Sequence, residues 1–135
     1  MFLKKLMSTA LCAALLVTQA GMASAAEETV QGKLAAVEAE TWGGEQTGAF
    51  LDRINRLEKD YLGKHNKGSM LERVNIVYDD LYDNATGPGL LTQLNAVEWG
   101  LTHEVSPKPV AKRVTEMEMA VAGKTSAGTY KKRIQ

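Results

Sequence analysis

This 135-residue chain has little of the chemistry that usually marks a catalytic or metal-binding protein. It holds one cysteine, three prolines and two histidines, and aromatic residues make up 6%. A lone Cys12 cannot close an intramolecular disulfide or supply the paired thiolates of a structural zinc site. His65 and His103 have no second ligand at a metal-binding spacing. Neither charge sign is in surplus, with 16 Lys and Arg against 16 Asp and Glu. The broad positive field that draws proteins to nucleic acid is therefore missing, and no nucleic-acid partner is expected. No apolar run reaches the roughly 20 residues needed to span a bilayer.

The N-terminus has the layout of a secretory signal. Lys4 and Lys5 precede an apolar stretch, Leu6 to Val17, broken only by Ser8 and Thr9. Ala23-Ser24-Ala25 then supplies small residues at signal-peptidase spacing, which predicts a signal peptide over 1–25 and cleavage before Ala26. Export to the periplasm or beyond the cell is the expectation. Cys12 is no lipid-anchor site, because the bulky Leu11 precedes it and most of the apolar stretch follows. Cleavage would leave a single domain over 26–135 with no cysteine and 14 basic against 16 acidic residues. The acidic residues gather in 27–60. The segment 108–135 carries seven Lys or Arg against Glu116 and Glu118.

The dominant feature that is present is a repeat of 20 residues. Written in rows of twenty, Leu34, Ile54, Val74, Leu94, Val114 and Ile134 share a column. Lys33, Arg53, Arg73, Gln93, Arg113 and Arg133 stand just before them. Val37, Leu57, Val77, Val97 and Met117 form a third column, followed by Glu38, Glu58, Tyr78, Glu98 and Glu118. Gly43, Gly63 and Gly123 align, with Asp83 and His103 replacing glycine in two rows. Gly48, Gly68 and Gly128 align, as do Asn55, Asn75 and Asn95, without a single insertion or deletion.

Each row divides into a helical half and a loop half. Leu51, Ile54, Leu57 and Tyr61 fall on one helical stripe, and Leu71, Val74, Val77 and Leu81 repeat it. Ser69 followed by Glu72 is a capping box, and Gly63 stands where a left-handed C-terminal cap belongs. Pro88, Pro107 and Pro109 all fall in loops. The sequence thus predicts an all-α fold of about five short, antiparallel amphipathic helices near 27–42, 49–62, 69–82, 89–102 and 109–122. A partial sixth begins near 129. Helices of about 14 residues are marginal alone in water, so they must cover one another in a solenoid-like array or a compact bundle.

The row pattern is apolar-Glu, apolar-Gly, a variable link, Gly, Leu, Arg-apolar, apolar-Glu. It is clearest in LDRINRLEKDYLGKHNKGSMLERVNIVY (residues 51–78) and extends with decay over 26–135. It resembles tandem 20-residue helical repeats of exported bacterial proteins. The resemblance implies export and helical repetition, and carries no particular activity with it.

Several residue groups invite a chemical reading. Facing carboxylates of the Glu column would suit a di-metal site, but such sites also use Glu-x-x-His pairs, which this chain lacks. Ion pairing with the Arg column is the better reading. Because Arg53 and Glu58 point apart on one helix, that pairing must run between helices, and it is worth about 1 kcal/mol or less if exposed. The segment Gly63 to Ser69 lacks the Gly-Lys-Ser/Thr ending of a phosphate loop. Asp79, Asp80, Asp83 and Asn84 do not match a calcium-loop spacing and read as a solvated helix end. No catalytic residues, metal ligands or cofactors are expected.

An interaction surface remains. Trp42, Tyr61, Tyr82 and Trp99 lie near helix ends, where aromatics serve partners or cap the layer between helices. Lys124, Lys131, Lys132 and Arg133 give the C-terminal repeats a basic face. The expected function is a non-enzymatic, exported helical-repeat module for protein interaction or envelope structure, its partner another envelope protein or a second copy. The alternative is an anionic ligand, cell-wall polymer or lipid headgroups, held peripherally by that basic face.

Overall fold

A computed structural model describes residues 29–135. The signal-peptide reading over 1–25, and the helix start at residues 27 and 28, lie outside the described residues. Within them the chain forms α1 (Val30–Trp42), α2 (Phe50–Leu62), α3 (Met70–Leu81), α4 (Leu90–Thr102), α5 (Val110–Ala122) and the short α6 (Tyr130–Ile134). There is no strand among the described residues, only an isolated bridge between Asn84 and Gly87.

Local chemistry sets the ends of each helix. Thr29 caps α1 by accepting the Gly32 amide at 2.9 Å. At α3 the capping box is complete: Ser69 Oγ accepts the Glu72 amide, and Glu72 Oε2 accepts the Ser69 amide at 2.8 Å. The glycine column ends α1, α2 and α5 in the left-handed conformation. His103 takes the same role after α4 with φ 59°, so the fourth row keeps the common turn without the glycine. The third row does not. There α3 stops at Leu81, Tyr82 is extended, and Asp83 Oδ1 accepts the Gly89 amide at 2.8 Å. A side chain at Gly89 would meet the Leu81 carbonyl at 2.4 Å, so this tighter turn requires glycine there.

The column Leu34, Ile54, Val74, Leu94 and Val114 is buried throughout, joined by Val37, Leu57 and Val77. Each such side chain contributes about 1.5–3 kcal/mol on leaving water. Leu51 and Leu71, expected on the buried stripe, stay exposed. The helix face that actually packs runs through 50, 54, 57 and 61, one residue earlier at its start.

Packing reaches beyond chain neighbours. α1 lies chiefly against α3 and also meets α5, while α6 touches α2, α4 and α5. The array therefore coils back on itself, and the same contact recurs one repeat later. A Cβ on Gly43 would sit 3.1 Å from Pro109, and one on Gly63 would sit 3.2 Å from Thr129. The start of a helix thus covers the end of the helix four places earlier, in α1 with α5 and again in α2 with α6. This gives a compact coil rather than an open ribbon.

Candidate interaction surface

The Glu and Arg columns meet between helices, as the sequence requires, but not on a solvent-exposed rim. Arg53 binds Glu38, Arg73 binds Glu58, Arg113 binds Glu98 and Arg133 binds Glu118, each with an Nη2–Oε2 distance of 2.6–2.7 Å and a second bond from Nε. Glu38 and Glu58 are fully buried and the other two carboxylates nearly so. Each also accepts a backbone amide from the following loop, that of Gln46, Asn66, Ser106 or Ser126. One carboxylate thus ties its own helix to the next loop and to the first turn of the next helix. Asn55 and Asn95 accept a further bond from Arg73 and Arg113.

Ionisation follows from this geometry. Burial opposes the charge on Glu58 and Glu98, yet the arginine and loop amide hold both carboxyls below their ordinary range. Hydrogen bonding from Arg133 does the same for Glu118, against its burial. These groups are engaged in holding helices together and leave no open ligand position.

One rung is missing, and both partners are missing together: the Glu position holds Tyr78 and the Arg position Gln93. Gln93 instead donates to the Pro88 carbonyl at 2.9 Å. Lys33, first of the basic column, fills the gap from α1. Its Nζ donates to Asn75 Oδ1 at 2.8 Å and lies 5.0 Å from the Tyr78 ring centre.

The structure sorts the expected interaction residues. Tyr61 is withdrawn from any surface: it is buried, shares a 2.7 Å hydrogen bond with Thr41 and meets the edge of Tyr130. Trp42 is half-buried beside the Tyr130 hydroxyl, with Arg56 over its ring. Tyr82 packs against Tyr78 with ring centres 4.6 Å apart and the planes tilted by 45°. These three cap the layer between helices. Arg133 is taken up by Glu118, because the repeat places it in the Arg column. Lys124, Lys131 and Lys132 are exposed, and so is Trp99, with 57% of its surface in solvent against the His103 ring.

A second exposed surface, at the end of α4, is formed by residues outside this set. Leu101, 53% exposed, and Val121, 66% exposed, stand together there with Val105. Between the end of α4, its loop and α5 lies a groove of about 570 Å³, lined by Leu101, Thr102, Val105, Met117, Ala120 and Val121. Lys108 and Glu116, paired at 2.7 Å, close one side. The signal was in the repeat. Thr41, Tyr61 and Leu81, the same column as Leu101 and Val121, are all buried.

Among the described residues, no three His, Cys, Asp or Glu side chains converge on a common point for a metal ion. No helix among them is long and apolar enough to cross a membrane. Comparison of the chain with protein-family models, curated proteins and solved structures finds no match in any of the three.

Proposed function

We propose that this chain is a non-enzymatic helical-repeat module that works by binding, as a protein-interaction or structural component of the cell envelope after export. The observation that carries the reading is the groove between α4 and α5, an exposed apolar patch of the kind that marks interaction sites. Leu101, Met117 and Val121 in its wall belong to columns that are core elsewhere in the same chain. The ionisable groups that might have done chemistry are tied into the Arg–Glu clamps, which supports a binding role over a catalytic one. The signal-like N-terminus supports export.

The test has two arms. N-terminal sequencing of the protein from an envelope or medium fraction is expected to begin at Ala26. Wild-type protein is expected to retain a defined partner that the Leu101→Glu and Val121→Glu variants release. Equal retention by both variants would remove the groove from the reading. A second reading rests on exposed Lys124, Lys131 and Lys132, which would hold an anionic cell-wall polymer or lipid headgroups. Co-sedimentation with such material that falls steeply between 50 and about 300 mM salt would favour it.

A further inference from the structure

The array already contains a worked example of how such a groove is filled. Three repeats earlier, the cleft formed by Trp42, Asp60 and Tyr61 is occupied by Tyr130 at the start of α6. The Tyr130 ring meets Tyr61 edge-on with centres 5.3 Å apart, and its hydroxyl reaches Asp60 at 3.4 Å. Thr129, just before it, covers the Gly63 turn. Moving that cleft along by three repeats gives Thr102, Ala120 and Val121, which line the empty groove, and turns Gly63 into Gly123. Among the described residues, nothing stands within 4 Å of a Cβ placed on Gly123, although its φ of 68° matches the 70° of Gly63. The turn is the same and only its cover differs.

The column of Tyr130 also contains Met70, and the column of Thr129 contains Ser69. Val110 and Tyr130 are buried against the ends of earlier helices, whereas Met70, at the start of α3, is 39% exposed with Leu71 beside it. Among the described residues, the molecule thus presents a partly exposed helix start and an uncovered helix end that its own internal interface joins elsewhere. The chemistry matches as well. The Tyr130–Asp60 polar pair corresponds to Met70 with Ala120, so both members turn apolar together.

We propose that the groove between α4 and α5 receives the start of α3 from a second copy of this chain, with Met70 entering at Val121 as Tyr130 enters at Tyr61. This rests on the interaction reading above and names its partner. The contact is head-to-tail, so a joined pair keeps one free start and one free groove and assembly continues into longer chains.

Cysteine cross-linking reads the register directly, on the full chain carrying Cys12→Ser. Met70→Cys and Val121→Cys both alter exposed positions, so the fold is kept. Mixing the two single variants under mild oxidation is expected to give a mixed disulfide at least tenfold faster than mixing Met70→Cys with Lys124→Cys. Adding Ala120→Glu to the Val121→Cys partner should abolish the difference. Scattering mass of the wild type should rise with concentration. Equal cross-linking rates, or a constant monomer mass, would overturn the proposal. If the monomer still retains a different envelope protein, the interaction reading survives without self-assembly. If Leu101→Glu and Val121→Glu change nothing in either assay, both fail.

Discussion

His103 is the one non-glycine with positive φ among the described residues. An L-residue there carries a penalty of about 1 kcal/mol that glycine avoids. Its contact with Trp99 is exposed and returns little. His103→Gly is therefore expected to raise the melting temperature by about 4 °C, measured by circular dichroism at 222 nm; a lower value would mean that the ring contact outweighs the backbone. Asp80 presents a second single-residue conflict. Its Oδ2 is buried without a hydrogen-bond partner, and burial pushes its carboxyl above the ordinary range despite Lys131 nearby. At neutral pH the ionised form thus costs stability, and Asp80→Asn is expected to raise the melting point at pH 7. Because the carboxyl takes up a proton more readily in the folded state, the gain should shrink as pH falls. A gain that persists unchanged into acid would point to packing instead of charge.

Between elements, the Arg–Glu clamp is the unit of cohesion. Removing one partner strands a buried charge, which costs about 3–5 kcal/mol, so Arg73→Ala should nearly unfold the protein in thermal melts. The missing rung supplies its own control. Glu58→Tyr combined with Arg73→Gln, copying Tyr78 and Gln93, is expected to lose less than the sum of its single variants, by about 1–3 kcal/mol in a double-mutant cycle. Additive losses would show that the clamp's members do not depend on each other. The same clamps set an acid limit. Glu58, Glu98 and Glu118 have lowered folded-state values, so their stabilisation is complete above the ordinary carboxylate range near 4.5 and is lost as pH falls below it. Asp60 and Asp80, both raised by burial, act in the opposite direction and soften the loss. The melting temperature should hold from pH 7 to about 5 and then fall steadily towards pH 3; a flat profile would contradict the clamp account.

For the molecule as a whole, the helices and their spacing were legible because cap, stripe and breaker signals are local. Ser69 with Glu72, Gly63 and the proline positions each act within one turn of chain. The partnership of the Arg and Glu columns was legible too, since Arg53 and Glu58 cannot meet on one helix. Their burial was not, because the cover over Glu58 comes from the next loop amide and the next helix together. The fate of Tyr61 was hidden for a longer-range reason. Whether it faces solvent depends on α6, some 70 residues on, and hence on a small rotation per repeat summed over four repeats. The groove was hidden in the same way: Leu101 and Tyr61 occupy equal positions in the repeat, and α6 packs against Tyr61 alone of the two.

The clamp also fixes how such a chain can change length. Each Glu meets a loop amide eight residues on and an arginine fifteen residues on, in every row that carries the pair. A single residue added to a loop would carry the arginine off its carboxylate and turn the next helix face away from the core. Growth or loss by whole rows of twenty leaves every distance intact. Variation in this molecule is thus confined to substitution within a row and to the number of rows.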